Sequence, residues 1–288
     1  MVSTFSVEDL TVHRIVELVA PFLPALEMLP SLTPSLLDEN RAWLEPHSIN
    51  ESDTFILSYQ SYVVRTPHHN IVVDSGLGND KERPRPEWHM RSGGQFLRGL
   101  ADVDLGVEDI DFVLCTHLHG DHVGWNTRLV DGRWIPTFPN ARYIFSNAEV
   151  TAAEAIHQDG GFPAYLDSVR PLFEAGRADL VGDDFHIGDH TRLLPTPGHT
   201  AGHTAFSFGK DHDAVVMSGD LLHVPLQMRY PEQSFVRDRD PDLAATTRRN
   251  FLERYCDTET LCCTGHFPSP SVGRVRRWAD GFRLVSSC

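Results

Sequence analysis

Short apolar runs rich in Val, Ile, Phe and Tyr recur along the chain, each closed by a cluster of Gly, Pro, Asp or Asn. Residues 9–19 and 53–66 carry β-branched and aromatic side chains in partly alternating order, which predicts strands. Ile71-Val72-Val73 is a shorter buried run that ends in the turn Asp74-Ser75-Gly76-Leu77-Gly78. Residues 110–115 predict another buried strand, as does Ala141-Arg142-Tyr143-Ile144-Phe145. Further strands are expected near 191–194, 204–209, 213–218 and 259–264. Helical patterning is expected over 86–101, from near Asn147, over 161–176, and over 241–255, where Asp240 supplies a cap and Pro241 sits in the first turn. Residues 273–286 read as a short terminal strand or helix. Helices interspersed among strands in both halves predict an α/β chain of two packed sheets with helices outside. No linker, low-complexity stretch or repeat with a period of roughly 20–50 residues interrupts the pattern. One domain is therefore expected over 1–288, with 1–50 forming an N-terminal strand and a lid-like loop in the Pro-rich stretch 21–34.

Composition is ordinary for a globular protein, but charge narrows the partners. Asp and Glu outnumber Lys and Arg 40 to 25, giving a net charge of −15, and no basic run is present. Nucleic acid and anionic membranes are therefore not expected partners. Arg274, Arg276 and Arg277 form a local basic group that reads as a solvated face. The start, Met1 to Asp9, lacks a basic segment followed by an apolar core, so no signal peptide is expected. No run approaches roughly 18 apolar residues. The five cysteines, at 115, 256, 262, 263 and 288, are odd in number and include an adjacent pair, which fits reduced thiols in a cytoplasmic protein. Cys262 and Cys263 read as small apolar residues of a buried strand.

The richest chemistry lies directly after the strand at 110–115. Thr116-His117-Leu118-His119-Gly120-Asp121-His122 packs three imidazoles and a carboxylate into six residues. Neutral imidazole nitrogen and carboxylate oxygen are the donors that zinc and similar divalent ions prefer. In extended backbone, residues 117 and 119 point the same way. A turn at Gly120 then lets Asp121 and His122 face a second point, so one loop offers donors to two ions. Three more candidates each follow a predicted strand and a glycine: His199, Asp220 and His266. Glycine at such places permits a tight turn or a close backbone approach.

Taken in order, His-x-His-x-Asp-His followed by a His, an Asp and a His resembles the metallo-β-lactamase superfamily, over the stretch from about Asp74 to His266. The resemblance implies an αββα sandwich of two mixed β-sheets flanked by helices. It implies that His117, His119 and His199 hold one divalent ion and that Asp121, His122 and His266 hold a second. It further implies that Asp220 bridges the two. Zn2+ is the expected metal, with Mn, Fe or Co accepted by the same donors. A water shared by two cations ionises near neutral pH and attacks an electrophilic carbonyl or phosphorus. Asp74 is expected to orient a ligand imidazole by accepting its second N–H, and His203 to support the site as a buried histidine.

Within the superfamily, the stretch from Gly219 to Gln227 and the run Phe267-Pro268-Ser269-Pro270 are similar to the branch of lactonases and organophosphate (methyl parathion) hydrolases. In the acyl-homoserine lactonases of that branch a Tyr typically stands three residues after the bridging Asp; here the position is His223, which resembles instead the organophosphate-type members that can carry His there. Asp121, Asp220 and His223 are thus the expected catalytic residues, with His223 donating a hydrogen bond to a developing oxyanion. Trp125 and Phe267 are expected to wall a substrate pocket. The implied reaction is hydrolysis of a lactone or a carboxylic or aryl ester, with phosphotriesters as further substrates. The alternatives are a glyoxalase II-like thioesterase and a small-molecule phosphodiesterase on the same dinuclear site. The expected partner is a small molecule, and a homodimer is compatible with the resemblance.

Overall fold

The computed structural model describes residues 1–158 and 162–286. In chain order the strands are β1 (Val2–Val7), β2 (Leu10–Pro24), β3 (Thr54–Arg65), β4 (Asn70–Val73), β5 (Phe112–Leu114), β6 (Thr127–Val130), β7 (Arg133–Pro136), β8 (Arg142–Ser146), β9 (Ala178–Val181), β10 (His186–Ile187), β11 (Thr191–Pro195), β12 (Thr204–Phe208), β13 (Val215–Met217), β14 (Leu261–Cys263), β15 (Val272–Trp278) and β16 (Gly281–Val285). The helices are α1 (Ala25–Met28), α2 (Pro34–Leu44), α3 (Gln95–Ala101), α4 (Asn147–Gln158), α5 (Pro163–Ser168), α6 (Arg170–Glu174), α7 (Leu226–Arg229) and α8 (Pro241–Tyr255). Two seven-stranded mixed sheets, β1-β2-β3-β4-β5-β8-β9 and β10-β11-β12-β13-β14-β15-β16, organise the chain, as the α/β expectation requires. Among the described residues, no helix is long and apolar enough to cross a membrane.

Two compact units divide these elements. The first comprises Met1–Glu17 and Tyr59–Phe185. Its core gathers Val63, Val72, Val113, Tyr143 and Phe145 from the sheet with Phe96, Leu100 and Leu172 from the helices. Strands β4, β5 and β8 run parallel, with Val73 beside Leu114 and Leu114 beside Ile144. Strands buried on both faces read as continuous apolar runs, which is why the sequence announces them. The parallel register brings the C-terminal ends of β4 and β5 together, and with them Asp74 and Thr116.

The second unit comprises Leu18–Ser58 and His186–Cys288. Its core joins Ala205, Val216 and Phe282 with Met228, Phe251 and Leu252. Here β13 and β14 are the parallel pair, Met217 lying beside Cys263, so that the chain leaving each strand reaches Asp220 and His266 respectively. Helix α8 begins as expected, with the Asp240 carboxylate accepting the Leu243 N–H at 3.0 Å and Pro241 in the first turn.

Several elements differ from expectation for local reasons. The 86–101 segment is helical only from Gln95, because Gly94 takes a left-handed conformation (φ 66°) immediately before it. The stretch at 21–34 is strand to Pro24 and then the single turn α1, and α2 follows under a Thr33 cap whose hydroxyl accepts the Leu36 N–H at 3.2 Å. Residue 161 of the helix expected over 161–176 lies outside the described residues; the rest forms α5 and α6, broken at Val169. The C-terminal segment is the hairpin β15–β16, not a helix.

Candidate metal centre

In the first unit, the loop after β5 carries His117, His119, Asp121 and His122. His117 and His122 are buried, and their rings lie 4.1 Å apart; His117 and His119 are 4.5 Å apart, edge to face. The ligand atoms of His117 and His119 lie within 4.8 Å of one another, as do those of Asp121 and His122. Asp74 underlies the loop. Its Oδ1 accepts the Thr116 N–H and its Oδ2 the Thr116 hydroxyl, both at 2.8 Å, and Oδ2 lies 2.9 Å from His122 Nδ1. Asp74 adopts φ 54°, a backbone conformation that acidic residues reach more readily than most.

These contacts fix the protonation pattern. A carboxylate only accepts, so the proton between Asp74 and His122 sits on Nδ1. Thr116 gives its one hydroxyl proton to Asp74, so toward His117 Nδ1, 3.1 Å away, its oxygen accepts. Both imidazoles therefore carry their lone pair on Nε2. The loop is tied down further by Glu149 in the first turn of α4, whose Oε1 accepts the Leu118 N–H at 3.2 Å. Its far end is held by Ser75, whose N–H donates to the His122 carbonyl at 2.6 Å.

The second unit repeats the pattern with dispersed residues. Asp220 sits at the centre: its Oδ2 is 3.3 Å from His199 Nε2 and 3.2 Å from His223 Nε2, and its Oδ1 is 2.9 Å from His266 Nε2. His199 Nδ1 donates to the Asp238 carboxylate at 2.9 Å, and His266 Nδ1 to the Ser58 carbonyl at 2.9 Å. These two imidazoles, too, present Nε2 as the lone-pair nitrogen. Burial pushes the His199 imidazole down to about 4, so it is neutral, as a ligand must be. Gly198 is needed here because a Cβ would fall 2.4 Å from the Ala244 backbone in α8, and its φ is 136°.

Asp238 and the residues behind it escape sequence inspection. Asp238 Oδ2 accepts the Phe235 N–H at 2.9 Å and faces the fully buried Arg248 guanidinium at 3.4 Å. Arg248 also donates to the carbonyls of Leu221, Pro231 and Gln233. Burial alone would raise the Asp238 pKa, but the His199 hydrogen bond and neighbouring charges outweigh it and hold the carboxyl below its ordinary value. His203 is buried, and its Nε2 accepts the Asp220 N–H at 3.0 Å, steadying that backbone. His223 has its backbone N–H held by Gln227 Oε1 at 2.8 Å, while both ring nitrogens are buried without a hydrogen bond. Its ring packs 4.1 Å from Phe235.

Trp125 lies in the core of the first unit. Its indole N–H donates to Glu17 at 3.1 Å and its ring stacks on Phe96. Phe267 is buried against the core of the second unit and lines a cavity of about 250 Å³ with Trp43, Met228 and Trp278. The three arginines of β15 are paired: Arg274 and Arg276 with Glu259, and Arg277 with Glu253.

Known proteins similar to this chain include several hydrolases. An N-acyl homoserine lactonase of Bacillus sp. is 23% identical over 251 residues, 78% of this chain and 89% of that protein. A hydroxyacylglutathione hydrolase of Methylococcus capsulatus is 33% identical over 111 residues, 38% of this chain and only 33% of that protein's length. Among solved structures, AidC, a dizinc quorum-quenching lactonase in complex with a product, aligns over 100% of this chain and 97% of its own at TM-score 0.79 and 19% identity. Hydrolase AbOPH of the beta lactamase superfamily aligns over 100% and 97% at TM-score 0.83 and 20% identity. These structural likenesses establish the metallo-β-lactamase fold. The profile of the metallo-β-lactamase superfamily matches residues 56–266, and the chain belongs to that superfamily of metal-dependent hydrolases.

Proposed function

We propose that the chain is a dinuclear hydrolase of lactones or of carboxylic and aryl esters. His117, His119 and His199 would hold one divalent ion, Asp121, His122 and His266 the other, and Asp220 would bridge them. The observation that carries this reading is that four buried imidazoles each hold Nδ1 against a hydrogen-bond partner, from which a uniform tautomer is inferred. In His117, His122, His199 and His266, Nδ1–H is engaged by an acceptor, which directs the Nε2 lone pair to a ligand position. When bound, two such ions supply the Lewis acidity that ionises a water near neutral pH and polarises a scissile carbonyl. The protein's part is to hold the donors still: Asp74 and Asp238 orient two imidazoles, burial keeps His199 neutral, and His203 fixes the Asp220 backbone. His223 would donate a hydrogen bond to charge developing on the carbonyl oxygen or the leaving alkoxide.

Lactones come first among substrates because the lactonase alignments run along most of both chains. The match to a hydroxyacylglutathione hydrolase favours a thioester as the second reading. The pairing of Arg274, Arg276 and Arg277 with glutamates removes the obvious basic site for a glutathione-like group. A panel of N-acyl homoserine lactones, simple lactones, aryl esters, a phosphotriester and a glutathione thioester, assayed on metal-loaded protein, tests the order. Lactone or ester turnover exceeding thioester turnover is expected. Thioester turnover alone would overturn the substrate assignment.

A further inference from the structure

We propose that Arg83, locked in place by Asp167, is a positioning residue that sets the apex of the metal loop at Gly120 and so aims His119 and Asp121, on either side of it. This inference rests on the metal role proposed above for that loop.

Arg83 belongs to the irregular segment between β4 and α3, yet its side chain is only 4% exposed. It grips Asp167 of α5 with both terminal nitrogens, at 2.6 and 2.8 Å, a two-pronged geometry that fixes the guanidinium plane. Asp167 is itself held from behind. Lys81 Nζ lies 3.6 Å from Asp167 Oδ1, donates to Thr127 Oγ1 at 2.9 Å, and sits 3.6 Å over the Trp134 ring. Two buried basic side chains, Lys81 and Arg83, thus share one carboxylate.

The Arg83 side chain packs against the loop's apex at Gly120. A Cβ built on Gly120 would fall 2.8 Å from Arg83 Nε, 3.2 Å from Cδ and 3.6 Å from Cζ. Gly120 is not in the left-handed region, so glycine is required here for space and not for backbone freedom. Arg83 Nε is buried without a hydrogen bond, so the side chain is placed by the Asp167 clamp, by Nη1 donating to the Glu82 carbonyl at 2.9 Å, and by packing on Gly120. On either side the loop has polar anchors, Leu118 N–H to Glu149 and His122 N–H to the His119 carbonyl at 3.0 Å. Arg83 supplies the wall against which the turn between them closes.

The test compares Arg83→Ala, Arg83→Lys, Asp167→Asn, Gly120→Ala and the double variant Gly120→Ala/Arg83→Ala with the wild type. Two readouts are used: amide hydrogen exchange at His122 in metal-free protein, and Co2+ affinity by optical titration. Gly120→Ala is expected to weaken Co2+ binding about tenfold or more, because it displaces the turn carrying two donors. Arg83→Ala added to it removes the collision, so the double variant binds Co2+ more tightly than Gly120→Ala alone. Arg83→Ala and Asp167→Asn alone should each speed His122 exchange about tenfold while Leu118, held by Glu149, stays protected. Arg83→Lys, which cannot reproduce the two-pronged clamp, should behave like Arg83→Ala. Additive losses in the double variant, or wild-type exchange at His122 in Arg83→Ala and Asp167→Asn, would overturn the inference. A wild type that binds no Co2+ would instead overturn the metal reading, and the exchange data would still decide the role of Arg83. If Gly120→Ala does not fold, the Arg83 and Asp167 variants carry the test.

Discussion

The two units present candidate donors by different means. In the first unit, four ligand-type residues follow one another along a single turn, and one parallel strand pair places them. In the second, His199, Asp220 and His266 arrive from three separate strand ends, each needing its own support. The carboxylates behind them differ accordingly. Asp74 is satisfied by an amide, a hydroxyl and an imidazole. Asp238 is satisfied by an imidazole, an amide and a buried arginine. A contiguous loop inherits its geometry from one turn, whereas dispersed donors are registered by a buried charged scaffold. The dispersed half should therefore couple more strongly to the stability of its unit.

Replacing the two carboxylates measures that difference. Asp238→Asn and Asp74→Asn should each lower metal affinity by about 10–100-fold, because each releases a ligand imidazole from its fixed tautomer. Their effects on metal-free stability should diverge. Asp238→Asn leaves Arg248 buried without its carboxylate and is expected to cost about 3 kcal/mol in urea unfolding. Asp74→Asn removes hydrogen bonds to uncharged partners and should cost about 1 kcal/mol. Equal losses would erase the contrast between the halves.

A smaller effect comes from the buried cations. Burial pushes the Lys81 ammonium down to about 7 despite the nearby Asp167. The unfolded chain holds that proton up to the ordinary lysine value of 10.5. Between these limits the unfolded state binds more protons, so stability should rise with pH through that window. Lys81→Met is expected to flatten the slope, by at most about 1.4 kcal/mol per pH unit. Arg248→Met should leave the slope unchanged, since an arginine stays charged throughout the window. Unfolding free energies measured across these pH values check both, and an unchanged slope in Lys81→Met would contradict the buried, titrating lysine.

The same contrast explains what was legible in the sequence. Strands β4, β5 and β8 are continuous apolar runs and announce themselves; β1, β6 and β7 are short hairpin strands with exposed faces and carry no such signal. The loop at 117–122 declares its chemistry because its donors are neighbours in sequence. His199, Asp220 and His266 become visible only as an ordered set after strand ends. Asp238, Arg248, Glu149 and Arg83 give no local sign, because each acts on a residue distant in the chain, and an acid or arginine in a polar stretch ordinarily reads as surface. Gly120 shows the same limit. The turn is readable, but its reason, the Arg83 side chain packed against it, comes from a separate segment.

The central claim is that the two sets of donors together hold two ions, with Asp220 shared between them. The most direct measurement is metal content per chain by elemental analysis, on wild type and on Asp220→Asn, after loading with Zn2+ and removal of excess. Two ions per chain in the wild type, falling in Asp220→Asn together with hydrolytic activity, is the predicted result. One ion or none in the wild type, or two retained with unchanged activity in Asp220→Asn, would contradict it.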